Sequence, residues 1–431
     1  MPSPRTGDNR GDERLMRLTY HLDRIPFLKD LVLEVENQGE KIAVRAAGPW
    51  AEVVVPYLKN YLDWLSSRGT LAQYKGSNVY SLYLPPIPSP AHVRMVEGII
   101  QTFFLKKPTP QAVTIAVTND CQCQCVHCSV PGPSQIYPPM SLEEINRVAE
   151  ESLALGVNNM TFTGGEPLLF PDLEQCISRI PQELAVVQVF TNGLTLDLRR
   201  ALSLKAAGTY AVQISLDSPD AEEHDRLRGK QGASESVREA VANALEADLL
   251  VGLSTYATNR SIEDGSLKRI VELAGQWGVH EVSVFDVIPT GRLLRQEGIM
   301  LTTESRRFLR KLELACNKPQ NGLPRMSTQS WTNSGRGFAK SFGCLAGNYQ
   351  FHITACGDLM PCDFTPLSFG NVRRDSVADL WKKLTTHPAY CRHQDACRMQ
   401  SLEFRNRYIR PIPLNTPLPV LIEELESGKD H

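Results

Sequence analysis

The stretch "TNDCQCQCVHCSV", residues 118–130, places Cys121, Cys123, Cys125 and Cys128 within eight residues. Thiols at this density are metal ligands or nucleophiles, since the thiolate is the working form in both roles. Cys121, Cys125 and Cys128 read as C-x3-C-x2-C, three donors from one loop. Zinc sites usually close a tetrahedron with two separated ligand pairs. A three-thiolate cradle leaves one metal position free, which suits an iron–sulfur cluster with one exposed iron. Two other readings stay open: zinc with His127 as fourth ligand, and a C-x-C-x4-C set of Cys121, Cys123 and Cys128. On the first reading Cys123 points away from the metal.

The elements that must position this loop follow from hydrophobic patterning. Short β-branched runs at 113–118, 159–164, 186–191, 211–217, 250–257 and 281–289 alternate with amphipathic helical stretches. In "MSLEEINRVAEESLALG", Ser141 is a natural N-cap with Glu144 as return partner, and Gly156 ends the helix. Ile145, Val148, Ala149 and Leu153 form its apolar stripe. Such repetition predicts parallel strands joined by right-handed crossovers. The unusual residues fall just after strand ends: the cysteine loop, then "GGEP", "TNG" and "SLD". That is the catalytic rim of a barrel. The expected fold is α/β: a partial (β/α)6 TIM-type barrel at 110–330. It lies between a small N-terminal α/β domain (1–109) and a cysteine-rich C-terminal domain (331–431).

The whole chain sets outer bounds. Its 431 residues leave room for two or three domains, and 42% hydrophobic with 22% charged residues is ordinary for a soluble protein. A formal net charge of -2 gives no sign of a nucleic-acid or membrane partner. "MPSPRTGDNRGDERL" has no apolar core for a signal peptide, and the apolar run at 99–105 is too short to span a bilayer. The expectation is a cytoplasmic protein without a membrane span. Eleven cysteines in that compartment mean free thiols or metal ligands. Cys176 and Cys316 stand alone and read as buried structural thiols.

The motif order over about 170 residues resembles the radical S-adenosylmethionine (radical SAM) superfamily. The resemblance implies that Cys121, Cys125 and Cys128 hold a [4Fe–4S] cluster whose fourth iron is chelated by SAM. It places His127 near the adenine. "TGGEPLLF" resembles the family's glycine-rich segment, with Gly164 and Gly165 admitting the ligand amino group and Glu166 supplying a carboxylate for it. By the same resemblance Asn192 contacts the ligand and Ser215 lies near the ribose. Asp217 caps its strand, and Arg228 pairs with the SAM carboxylate, a geometry that suits a guanidinium fork. The implied chemistry is reductive cleavage of SAM to a 5'-deoxyadenosyl radical that takes hydrogen from a substrate C–H bond. A one-electron donor such as flavodoxin or ferredoxin is implied with it.

Cys344, twelve residues, Gly357, four residues and Cys362 resemble the opening signature of the SPASM and twitch domains, as do "FGNV" and a helix bearing Trp381. Only Cys391 and Cys397 follow, short of the full SPASM run. The departure implies one auxiliary [4Fe–4S] cluster rather than two, held by Cys344, Cys362, Cys391 and Cys397 with Cys356 in reserve. A zinc ribbon is the competing account. Residues 1–109 carry no motif, and two readings are open: a cap on the barrel, or a leader-binding domain by size and position. The expected substrate is a peptide or peptide-derived cofactor under maturation. The alternative is a small molecule or tetrapyrrole, including oxidative decarboxylation, with Arg292 of "VIPTGRLL" as a candidate carboxylate partner. A non-catalytic iron–sulfur carrier or sensor would show damaged SAM motifs, and "GGEP", "QISLD" and "HDRLRG" are whole.

Overall fold

The computed structural model describes residues 16–130, 137–318, 322–328, 343–392 and 394–427. The polar stretch at 1–15 and the expected domain boundary at 330 fall outside them. Among the described residues no helix is long and apolar enough to cross a membrane.

The N-terminal domain opens with an antiparallel meander, β1 (Arg17–His21), β2 (Val32–Gln38) and β3 (Lys41–Ala47). On β2, Leu33 and Val35 alternate inward, and they pack with Leu58, Leu62 and Leu65 of α1 (Ala51–Ser66) in one core. The hairpin β4 (Ala72–Tyr74) and β5 (Ser77–Val79) and helix α2 (Pro90–Ile99), capped by Ser89, complete it. Reading the sequence missed β1 and β2. Beyond Val79 the chain leaves the ladder to enter the barrel.

Eight parallel strands make the main sheet: β6 (Ala112–Ala116), β7 (Asn159–Thr163), β8 (Val186–Thr191), β9 (Ala211–Ser215), β10 (Leu250–Ala257), β11 (Glu281–Asp286), β12 (Arg325–Thr328) and β13 (Gln350–Ile353). A ninth strand, β14 (Leu359–Met360), is antiparallel. The order is β12-β11-β10-β9-β8-β7-β6-β13-β14. The six expected strands are therefore the middle of the partial barrel. The tail contributes β13 to its edge, beside β6, so the C-terminal domain and the barrel share one sheet. The connecting helices are α3 (Leu142–Leu155), α4 (Leu173–Ser178), α5 (Leu198–Ala207), α6 (Ala221–Arg228), α7 (Ala233–Glu246), α8 (Asn259–Glu263), α9 (Ser266–Gln276) and α10 (Thr303–Cys316). Helix α3 has the expected capping box of Ser141 and Glu144 and ends at Gly156. Helix α11 (Val377–Thr386) carries Trp381, which packs on Phe351 of β13 and donates Nε1–H to the Pro108 carbonyl at 3.1 Å. Cys176 and Cys316 are buried, and burial pushes their thiols up to about 12 and about 11.

Residues 80–84 plug the amino end of the barrel. Glu281, fully buried at the start of β11, accepts from Ser81 Oγ at 3.0 Å, from the Leu82 amide at 2.5 Å and from Ser327 Oγ. Above it a polar ladder crosses the lumen. Gln188 donates to Asn159 Oδ1, Gln213 to Gln188 Oε1, Ser283 to Gln213 Oε1, each at 3.3 Å, and Tyr83 OH to Ser283 Oγ at 2.9 Å. Gly252 makes room for this: a Cβ there would lie 2.2 Å from Gln213 Oε1. Residues 80–84 thus close the barrel floor. Glu281→Ala leaves three donors without their buried acceptor, so urea unfolding should show a loss of about 2–4 kcal/mol, with Glu281→Gln losing roughly half as much. An unchanged midpoint would show that this anchor does not hold the plug.

Candidate functional site

The cysteine loop leaves β6 and is seated by the ends of the neighbouring strands. The Gly165 amide donates to the Thr118 carbonyl and the Glu166 amide to the Asp120 carbonyl, both at 2.7 Å. The Gln124 amide donates to the Arg228 carbonyl at 2.8 Å and the Val126 amide to Leu227 at 3.0 Å. From β11's far end the Arg292 amide donates to Cys128 O and its guanidinium to Cys125 O, both at 3.0 Å. A Cβ on Gly165 would stand 2.2 Å from Asp120 O, and one on Gly291 2.1 Å from Cys128 O. Gly164 faces the Thr118 backbone in the same way. The glycine pair expected to admit the ligand therefore admits the loop itself. Gly165 also borders the main cavity, while Gly164 borders a smaller one behind it.

All four thiols of the loop line one large cavity. Cys123, expected to point away, instead shares hydrogen bonds with Cys121 and Cys125. These bonds chiefly pull Cys121 down to about 6 and Cys125 to about 7, with the Arg228 charge adding to the effect, whereas burial raises Cys128. Asn192 Nδ2 lies 3.9 Å from Cys121 Sγ, and Arg228 Nη1 3.7 Å from Cys125 Sγ. Among the described residues no three such side chains close on one metal point.

Around the loop stands a buried polar network. Arg228 Nε pairs with Asp217 Oδ2 at 2.6 Å, and His127 Nε2 lies 3.5 Å from the same oxygen. Burial pushes His127 down to about 4, so the ring is neutral at pH 7. It packs on Tyr256 with centroids 4.0 Å apart, and among the described residues its buried Nδ1 has no hydrogen-bond partner. Arg228, expected to meet a ligand carboxylate, already has Asp217 as its partner. Glu166, expected to meet a ligand ammonium, accepts from the Leu168 amide, Thr191 Oγ1 and the Asn192 amide at 3.1, 2.6 and 2.7 Å. Those bonds tie the ends of β7 and β8 together; of about four acceptor positions on a carboxylate, one remains. Burial lifts Glu166 to about 7. Ser215 and Ser254 face the cavity with their hydroxyls 3.3 Å apart.

The second cysteine group divides. Cys344, Cys362 and Cys397 are buried and border the same cavity as the loop. Burial and the neighbouring Cys344 hold Cys362 up at about 12 and push Cys397 upward too. Cys391 does not join them: it is exposed, and its thiol faces the Pro388 carbonyl at 3.9 Å. Cys356 is buried elsewhere, accepting from Asn119 Nδ2 at 3.5 Å beside the smaller cavity. Reading the sequence missed Tyr256, Gly291 and the half-buried phenylalanines Phe190, Phe285 and Phe364. Gly291 was within reach, because it follows the sixth strand just as "GGEP" follows the second.

A parallel partial barrel whose rim gathers low-pKa thiols, a neutral histidine and a guanidinium is built to hold an iron–sulfur cluster and a polar ligand. Residues 115–274 match the family described as the Radical SAM superfamily, and residues 344–401 the SPASM iron–sulfur cluster-binding domain. The chain is a radical SAM enzyme with a C-terminal SPASM domain. It is 26% identical over 292 residues to the AdoMet-dependent heme synthase of Methanosarcina barkeri, covering 63% of this chain and 82% of that one. It is 26% identical over 283 residues to the PqqA peptide cyclase of Granulibacter bethesdensis, covering 63% and 74%. Its fold matches Streptococcus suis SuiB bound to S-adenosylmethionine with a TM-score of 0.54 at 13% identity, over 82% of this chain and 87% of that one. The family's cofactors are a [4Fe–4S] cluster with SAM and auxiliary iron–sulfur clusters. The thiolate donors and the buried His127 ring fit the first pair, and the three buried tail thiols that border the same cavity are donors of the kind an auxiliary cluster takes.

Gly291→Ala tests the seating of the loop. Its Cβ meets Cys128 O, and its φ of +50° disfavours a side chain. After anaerobic reconstitution the variant should keep native circular dichroism but lose front-cluster iron several-fold; wild-type iron content would show that the loop tolerates the shift.

Proposed function

We propose that this radical SAM enzyme matures a peptide or a peptide-derived cofactor. The observation that carries this reading is the cavity. It occupies about 1820 Å3 and runs from the cysteine loop through the barrel to Cys344, Cys362 and Cys397, with Trp64, Arg68 and Tyr83 of the N-terminal domain on its wall. Small-molecule pockets span roughly 300–1,000 Å3, so a segment of a larger substrate fits this space better than a metabolite. When bound, cluster and SAM supply a primary carbon radical that removes a substrate hydrogen atom. The chain's own part is to place that hydrogen, hold the ligand with Arg228, Glu166, Asn192 and Ser215 at hand, and keep water away. We assign the auxiliary cluster to Cys344, Cys362 and Cys397, with Cys391 standing apart. A flavodoxin or ferredoxin would deliver the electron to the front cluster. None of the eleven cysteines is in a disulfide, which suits the reducing cytoplasm.

One observation favours a second reading, a tetrapyrrole under oxidative modification. Phe190, Phe285 and Phe364 form a continuous edge-to-face wall on the cavity, with centroids 6.4 and 5.9 Å apart. A planar macrocycle could lie against it. Arg292, the candidate carboxylate partner for this reading, holds the Cys125 carbonyl instead.

Reduced, reconstituted protein should form 5'-deoxyadenosine from SAM, and Cys125→Ala should form none above background. Short peptides encoded beside the gene should raise that yield and lose hydrogen by mass spectrometry. If only a tetrapyrrole carboxylate does so, the second reading replaces the first. In the same preparations Cys397→Ser should lose one cluster's worth of iron while Cys391→Ser keeps it. Equal losses would return Cys391 to the ligand set.

A further inference from the structure

Arg405 is a guanidinium with almost no exposure, set in the tail behind the wall of the cavity rather than on it. Its donors are nearly all used. Nε meets Glu297 Oε1 at 3.1 Å, Nη1 meets the carbonyls of Pro289 at 3.1 Å and Met399 at 3.4 Å, and Nη2 meets the Leu294 carbonyl at 2.7 Å. Three of those acceptors belong to one strap, residues 289–297, which follows β11. The fourth belongs to the segment that begins at Cys397, whose Sγ accepts from the Met399 amide at 3.2 Å. Arg410 reinforces the junction, donating Nη2 to Glu297 Oε2 at 2.5 Å, and Arg295 reaches back to the Ile409 carbonyl at 3.4 Å.

The other face of the same strap touches the front loop. Gly291 lies against the Cys128 carbonyl, the Arg292 amide donates to it, and the Arg292 guanidinium donates to the Cys125 carbonyl. The path is short and entirely bonded: the segment after Cys397, Arg405, the strap, then the backbone of two of the three front cysteines. A planar fork that reaches four acceptors at fixed angles makes the strap one rigid piece with the tail. A lysine offers a point charge and cannot reproduce that set.

We propose that Arg405 is a positioning residue for SAM cleavage: it holds the strap that fixes the carbonyls of Cys125 and Cys128, and so ties the geometry of the front cluster to the packing of the SPASM domain. This goes beyond the choice of substrate, and it can be read in metal-free protein, so it does not depend on which tail cysteines bind iron. Asp286 at the end of β11 lies on a parallel route, with Gln400 Nε2 3.5 Å from its Oδ2 and Arg306 donating to Gln400 Oε1 at 2.6 Å. That contact does not reach the loop.

The test compares wild type with Arg405→Lys, Arg292→Ala and the double variant. Two readouts are used: hydrogen exchange of residues 121–130 in metal-free protein, and the electron paramagnetic resonance spectrum of the reduced front cluster with and without SAM. Arg405→Lys should raise exchange at 124–128 by roughly tenfold, leave β9 and β10 protected, and alter the SAM-bound spectrum. Arg292→Ala should produce the same spectral change, and the double variant no more than either alone, as expected for two links in one path. If Arg405→Lys loosens 289–297 but leaves 121–130 and the spectrum as in wild type, the proposal fails. Multiplying effects in the double variant would overturn it too. Should Arg405→Lys not fold by circular dichroism, Glu297→Ala removes one of its partners and is held to the same outcomes.

Discussion

A loop that spends four of eight positions on thiols has few side chains left with which to anchor itself, so its place is set by its backbone. Its main-chain fixed points come from three neighbouring elements: Gly165 and Glu166 after β7, Leu227 and Arg228 at the end of α6, and Arg292 after β11, whose guanidinium adds a second bond. Each such bond is worth about 0.5–1.5 kcal/mol net. None is strong singly, but together they come from three directions. Close backbone approach excludes Cβ atoms at Gly165 and Gly291, and that exclusion, rather than ligand contact, is the first reason for glycine at both. The ligand then meets a surface that the loop and these strand ends have already made.

The charges around the loop follow the same economy. Burying Asp217 alone would keep it protonated, but Arg228 reverses that and holds the carboxyl below its usual range. A buried ion pair of this kind contributes little net stability. What it leaves behind is useful: a guanidinium fixed beside the Cys125 sulfur and two histidines, His127 and His224, kept neutral with both pushed to about 4. Glu166 behaves oppositely. Its carboxyl is raised above its unfolded value, so its contribution to stability is fullest below that value and is lost as pH rises through about 7. A cationic ligand group beside it would reverse that loss.

The barrel was legible because each of its units repeats a pattern on two length scales, and the rim residues fall at the repeat's joints. Ser141, Glu144 and Gly156 could be assigned from local chemistry alone, and the structure has them in those roles. The roles of Gly164, Gly165, Glu166 and Arg228 were legible only as a cofactor contact. The protein contacts that also occupy them depend on residues far away in the chain, such as Asp120 and Thr191. The tail was the hardest part. β13 is four residues long with no repeat to announce it, and its identity comes from pairing with β6 across more than 230 positions of sequence. Cys391 and Cys397 looked alike by spacing, yet one is exposed and one buried; Arg398, just after Cys397, donates to the Ala389 and Arg392 carbonyls on either side of Cys391, a contact that spacing does not announce.

The floor of the barrel constrains how a long substrate can be held. Leu82 and Val79 pack with Val186, Tyr210, Ala211 and Leu250 in one small core, so the plug is continuous with the starts of β8, β9 and β10. Arg325 of β12 adds bonds to the Arg68 and Gly69 carbonyls at 2.8 and 2.7 Å. The N-terminal domain therefore cannot swing aside without breaking both the Glu281 anchor and the amide ladder above it. A substrate gripped by that domain and reacting at the rim would span a distance set by the barrel rather than by a flexible linker. Which of its C–H bonds is presented would follow from length along the chain, with the aromatic wall of Phe190, Phe285 and Phe364 fixing only its orientation.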